Sequence, residues 1–269
     1  MNPLSDLHLH TTYCDGKHTP REMIEQAIAL GYHSLGICCH SPLPFENDWS
    51  AQNELAFKKE VLSLKEEYKN RIFISLGIEC DNVSEVPVGY DYVISSVHHL
   101  DANGESVAID ESKETLLALL QNGFAGNKDA LAKAYFEAVV ENVKRLRPHV
   151  IGHFDLLTKY AEVEPALVFD SPAYFEMGKA AQKELVSLCP VLEVNVGAIS
   201  RRYRTSPYPH AEFLSYWRAL GGKVTVTSDA HSKDTLAFAF DKAVALLRFV
   251  GYTSVLELQS GAFKEISIL

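Results

Sequence analysis

The chain reads as an α/β protein whose parallel sheet closes into a barrel. Three observations carry that expectation. At least seven short apolar runs alternate with helical patterns, the mark of strand–helix–strand crossovers. The 269 residues are 47% hydrophobic, enough for one large core and close to the size of a single barrel. The residues able to do chemistry gather at the carboxyl ends of the runs, where such barrels carry their sites.

The elements follow in order. Leu4, Leu7 and Leu9 alternate with polar partners, a short strand ending at His10. Residues 20–30 read as a helix, with Thr19 to cap it, Pro20 in its first turn and Gly31 to end it. Residues 34–39 are a buried strand ending at His40, and the two prolines in 41–45 make a loop. Residues 51–68 show helical spacing, and 71–78 form a third strand ending at Glu79. A fourth strand, 91–97, ends at His98 and His99; polar loop sequence then runs to about Ser112. Helices are expected at 114–121 and 128–147, and a fifth strand at 149–152 ends at His153. Next come a helix at 172–188, a sixth strand at 191–195, and a basic loop with Arg201, Arg202 and Arg204. Helix 210–220 stops at two glycines; the seventh strand, 223–228, ends at Asp229 and His231. Helix 235–250 and one alternating segment, 254–269, complete the chain. No repeat or linker divides it, so residues 1–269 are expected to form one barrel domain.

Composition narrows the function. A formal net charge of -10 argues against nucleic acid as the partner. No stretch reaches the roughly 18 apolar residues of a membrane span, and no signal segment is visible. Cys14, Cys38, Cys39, Cys80 and Cys189 show no disulfide framework, so a reduced cytoplasmic chain is expected.

The strand ends carry the chemistry. On a strand His8 and His10 point the same way, well placed to hold one transition metal, and Asp15 returns a carboxylate through the turn at Gly16. Six of seven strand ends bear His, Asp or Glu, which core packing alone does not explain. His18, His33, His149 and His210 fall on helices, turns or strand starts and read as surface or core residues. Cys38 and Cys39 read as small core residues, no motif marks Cys14 as a nucleophile, and Tyr13, Tyr203 and Tyr208 read as packing.

These motifs resemble those of the polymerase and histidinol phosphatase family across nearly the whole chain. They are Asp-x-His-x-His at Asp6 to His10, His40, Gly-x-Glu at Glu79, Ser-Val-His at His98, Gly-His at His153, and Ser-Asp-Ala-His at Asp229 and His231. The resemblance implies a distorted seven-stranded (β/α)7 TIM-like barrel with three divalent metal ions, zinc first, manganese or iron as alternatives. It implies one ion on His8, His10, Glu79 and Asp229, a second on Glu79, His98 and His153, and a third on Asp15, His40 and His231. Glu79, Asp229 and His231 are then the catalytic residues.

Chemistry agrees with that family's activity. Two metals about 3.5–4 Å apart can hold a hydroxide in line with phosphorus and neutralise the phosphoryl oxygens. A phosphate dianion also suits fixed cations. Arg201 comes first, then Arg202 and Lys159, all beyond strand ends, and His99 is a further substrate-facing candidate. The expected function is a metal-dependent phosphomonoesterase hydrolysing the small-molecule ester L-histidinol phosphate to L-histidinol and phosphate in histidine biosynthesis. Asp81, Glu85, Asp101, Glu105 and Glu111 offer carboxylates for its ammonium, and Tyr90 a ring for its imidazole. The alternative is a phosphoesterase of the same family acting on another small phosphorylated metabolite or a nucleotide. A non-catalytic module fits the full ligand set poorly. An amidohydrolase-type enzyme usually carries a bridging lysine, and none stands at a strand end here.

Overall fold

The computed structural model describes residues 5–45, 49–51 and 53–269. Strand β1, Ser5–Asp6, is two residues long, and the chain stays extended beyond it through His10. Helix α1, Pro20–Ala29, begins with a capping box in which the Glu22 amide donates to Thr19 Oγ1 and Thr19 N to Glu22 Oε2. Its buried face is Met23, Ile24 and Ala27. Strand β2 is Ser34–Ile37; α2, Glu54–Tyr68, starts three residues later than its spacing suggests, because Asn53 caps it. Strand β3, Phe73–Asp81, runs two residues past Glu79, and β4 is Tyr92–Ser96.

The segment after β4 departs from expectation. Rather than a plain loop, it is an antiparallel hairpin of β5, His99–Ala102, and β6, Glu105–Ala108. Asn103 (φ 58°) and Gly104 (φ 85°) take the left-handed conformations a two-residue hairpin turn favours. Helix α3, Lys113–Ala118, passes into a wider turn at Leu119–Gly123. Helix α4, Lys128–Leu146, β7, Val150–Ile151, and α5, Pro172–Leu185, follow. Strand β8 is Val191–Asn195, α6 is the single turn Gly197–Ser200, α7 is Ala211–Ala219 and β9 is Lys223–Thr227. Helix α8, Phe240–Phe249, begins five residues later than its sequence pattern, after left-handed turns at Ala237 and Ala239.

Seven parallel strands lie in the order β1-β2-β3-β4-β7-β8-β9. A parallel bridge between Leu9 and Ala230, with His10 N donating to Ala230 O at 2.8 Å, brings the last strand to the first and nearly closes the barrel. That seam is thin. The C-terminal segment, expected as one strand, is instead a hairpin of β10, Ser254–Gln259, and β11, Ala262–Ser267. Strand β10 packs along β9 and touches β1 and β2, so the hairpin covers the seam. Its Leu258 joins Leu7, Cys38, Tyr92, Ile94, Val150 and Val191 in a small apolar cluster. Tyr92 fills space that only glycine leaves open: a Cβ on Gly36 would lie 2.3 Å from its hydroxyl oxygen, and one on Gly77 2.0 Å from its ring. Most other buried apolar side chains form one cluster between sheet and helices. Among the described residues no helix is long and apolar enough to cross a membrane.

Candidate metal centre

The strand geometry brings the expected ligands to one point. His8 and His10 leave β1 on the same face, as period-two alternation requires. His8 Nε2 lies 3.3 Å from Glu79 Oε2 and 3.8 Å from Asp229 Oδ1. His10 Nε2 lies 3.5 and 3.3 Å from the same two oxygens. Glu79 reaches them from within β3, not from its end, and its other oxygen, Oε1, stands 3.3 Å from His98 Nε2 and 3.0 Å from His153 Nε2. His40, bridged to Glu79 through the backbone, places Nδ1 2.8 Å from Glu79 Oε2.

A third group meets at Asp15. Its carboxylate lies 3.0 Å from His231 Nε2, 3.6 Å from His40 Nε2 and 3.7 Å from His10 Nδ1. Gly16 makes that return possible, because a Cβ there would sit 2.4 Å from the His10 carbonyl carbon and the Thr11 nitrogen. Asp229 follows β9 with left-handed backbone (φ 47°), a strained conformation of the kind found at functional turns. All nine expected ligands therefore converge, with Glu79 shared between the first two groups. His10 stands close enough to the Asp15 group to serve either neighbour.

The donors fit divalent metal. His8 Nε2, His10 Nε2 and Glu79 Oε2 are buried without a hydrogen-bond partner among the described residues, although they face one another at 3.3–3.5 Å. A cation between them would satisfy all three; without one, each costs about 1–3 kcal/mol. The histidines are also held in the right tautomer. His8 Nδ1 is 2.6 Å from Glu193 Oε2, and His98 Nδ1 is 2.8 Å from Asp81 Oδ2. A carboxylate on Nδ1 keeps the proton there and turns the Nε2 lone pair to the site. Cys38 lies beside His8 and His10, but burial pushes its thiol up to about 11 and it donates to Leu9 O, so it stays a core thiol.

Electrostatics point the same way. Burial opposes charge on His8, yet Glu193, Glu79 and Asp229 overcome it and raise its pKa well above the ordinary value. His10 and His98 are also raised despite burial, chiefly by Asp229 and by Glu79 respectively. Burial alone would raise the carboxyls; instead His8, His98 and His40 hold Glu79 well below the usual range, and Arg201 and His8 do so for Asp229. The site prefers positive charge, which protons or metal ions can supply.

A cavity of about 260 Å³ opens over the ligands. Arg201 and Lys159 stand on its wall. Arg201 Nη2 is 2.9 Å from Asp229 Oδ2, while Lys159 Nζ is 3.0 Å from Asp110 Oδ2. Trp49, Asp110 and Glu111 line it too. The other expected substrate contacts lie elsewhere. His99 is buried outside the lining, 3.3 Å from Asp81 Oδ1 and stacked on Trp49. Arg202 takes a left-handed turn (φ 63°) outside the lining, and Arg204 turns to Thr158 and Ser206. Asp81 supports His98 and so is not a rim acid. Glu193 was missed as a supporting residue, as were Asn195, which donates to Glu193 at 2.7 Å and Asp229 at 3.3 Å, and Asp110. The available signal was a lone glutamate inside the apolar run Val191–Asn195.

The PHP domain family model matches residues 6–189, more than half of the chain; Asp229 and His231 lie beyond it and complete the cluster in space. A probable histidinol-phosphatase of Schizosaccharomyces pombe is 28% identical over 262 residues, covering 89% of this chain and 84% of the relative. Another from Deinococcus radiodurans is 29% identical over 273 residues, covering 95% and 96%. The histidinol phosphate phosphatase of Lactococcus lactis, solved with zinc, L-histidinol and phosphate, superposes with a TM-score of 0.75 at 19% identity, covering 97% of this chain and 98% of that one. With residues 6–189, most of its length, matched by that model, the chain belongs to the PHP domain family.

Proposed function

We propose that this chain is a metal-dependent phosphomonoesterase that hydrolyses L-histidinol phosphate to L-histidinol and phosphate in histidine biosynthesis. One observation carries the reading: three groups of His, Asp and Glu side chains, two of them sharing Glu79, meet beneath a cavity walled by Arg201 and Lys159. The relatives named histidinol-phosphatase, matched over most of their length, support the substrate. His8, His10, Glu79 and Asp229 would hold one ion, Glu79, His98 and His153 a second, and Asp15, His40 and His231 a third. Histidine-rich sets of this kind suit zinc, with manganese or iron as alternatives.

Divalent ions bound there supply positive charge against phosphoryl oxygens and lower the pKa of a water. The chain's own groups do the rest. Glu193 and Asp81 fix the His8 and His98 rings. Arg201 offers a guanidinium beside Asp229, placed to take a phosphoryl oxygen as it holds that ligand. Lys159, tied to Asp110, brings a second cation to the wall. On the same wall Asp110 and Glu111 present carboxylates for the substrate ammonium, and Trp49 an aromatic face for its imidazole. Using those remote groups lets binding energy speed the reacting centre.

The test is phosphate release by metal-loaded protein from L-histidinol phosphate beside an aryl phosphate, sugar phosphates and nucleotides. The reading expects kcat/KM for histidinol phosphate well over tenfold above the aryl ester. Equal or better turnover of nucleotides or sugar phosphates would move the assignment to another phosphoesterase of the family.

A further inference from the structure

Behind the turn that carries Lys159 lies a second cavity, of about 170 Å³. Asp155 and Thr158, between His153 and Lys159 in the chain, line it; Phe169, Tyr174 and Phe175 supply aromatic surface. A dry cavity of about 150 Å³ accepts a benzene ring, so the space suits one ring.

Its polar groups are unfinished. Asp155 is fully buried; Oδ2 accepts from His210 N at 3.0 Å, but Oδ1 has no hydrogen-bond partner among the described residues. The hydroxyl of Tyr174, a buried residue, has none either. Arg204, the lining's arginine, is already committed: Nη1 donates to Thr158 O at 3.4 Å, Nε to Ser206 O at 3.3 Å, and its guanidinium lies 4.4 Å over the Tyr208 ring. What remains is an acceptor, Asp155 Oδ1, and the Tyr174 hydroxyl, on two residues of the same lining. Two exposed carboxylates complete the lining, Asp170 and Glu162, the latter already accepting from Thr205 N at 2.9 Å. Three acids stand against one engaged arginine and the His210 imidazole, whose Nδ1 accepts from Glu212 N, which favours positive charge, and an unpaired carboxylate oxygen calls for an N–H donor.

We propose that this cavity is a second ligand site, separate from the metal centre, for an organic cation with one aromatic ring. The ring lies against Phe175 and Phe169, and an N–H of the cationic group bonds Asp155 Oδ1, with the Tyr174 hydroxyl in the same lining.

Isothermal titration calorimetry of the full-length, metal-loaded protein with benzylammonium, in excess inorganic phosphate to fill the metal centre, tests the site. The expected result is one site per chain, with benzyl alcohol binding at least tenfold more weakly. Asp155→Asn keeps an acceptor for His210 N and should weaken benzylammonium at least tenfold; Tyr174→Phe should weaken it measurably and serves if the first variant fails to fold. Asp110→Asn, in the metal-centre cavity, should leave this affinity unchanged. No heat, an affinity indifferent to both cavity variants, or a soaked crystal with only ordered water behind Asp155 would overturn the proposal.

Discussion

Replacing Glu193 by Gln probes the metal centre through a residue that holds no ion itself. Glu193 is fully buried; Oε2 faces His8 Nδ1 at 2.6 Å, and Oε1 accepts from His153 N at 2.9 Å and Asn195 Nδ2 at 2.7 Å. Glutamine is nearly isosteric, and its carbonyl can keep the Oε1 bonds. Its amide must then face His8 Nδ1 and can only donate. The imidazole responds by moving its proton to Nε2, the atom that points at Glu79 and Asp229. Loss of one charge-assisted bond is worth about 1.5–3 kcal/mol, and supporting residues of this kind cost about 10–100-fold in metal affinity or activity. Competition against a graded chelator series, followed by turnover at saturating metal, measures both. The expected result is a fall in affinity within that range with folding intact. Wild-type affinity and turnover in Glu193→Gln would refute the claim that this carboxylate sets the His8 tautomer.

Three further outcomes follow. Arg201→Ala should lower phosphate-ester kcat/KM by roughly tenfold to more than a hundredfold, from about 1.5–3 kcal/mol of lost charge-assisted contact, with metal content retained; unchanged kinetics would shift the phosphate contact to Lys159. Gly16→Ala forces a Cβ to within 2.4 Å of the His10 and Thr11 backbone, so metal analysis should show the Asp15 group emptied first, and full occupancy would contradict the turn's role. The third concerns pH. His8, His10 and His98 have raised pKa values in the metal-free fold, so their contribution to its stability is complete below the unfolded value of about 6.5 and is lost as pH rises through the folded values. Metal binding must displace those protons and strengthens over the same window. Thermal melts should therefore show metal-free protein losing stability from about pH 6.5 upward while the metal gives increasing protection; parallel slopes would sink the argument.

Much of this was legible in the sequence because each ligand travels with its strand. His8 and His10 share a face by simple alternation, and the apolar runs locate His40, His98, His153 and Asp229 to within a few residues. What escaped depends on partners far along the chain. Glu193 was hidden inside a strand because its purpose appears only when His8, 185 residues earlier, meets it. Asp81 looked like a rim acid, since only the pairing of β3 with β4 puts it under His98. Arg201 and Arg204 are near neighbours in sequence, yet the turn after α6 sends one to the metal centre and the other to the second cavity. The β5–β6 hairpin did carry a local signal, Asn103-Gly104, but its strands are short and half polar, so alternation did not mark them.

Counting ions by native mass spectrometry and elemental analysis, on fully active protein and on Glu79→Gln, tests the central claim most directly. The account predicts about three divalent ions per chain, since nine candidate ligands converge on one end of the barrel, and loss of ions and turnover together when the shared carboxylate is neutralised. Full activity without bound metal, or a Glu79→Gln protein with wild-type metal content and turnover, would contradict it.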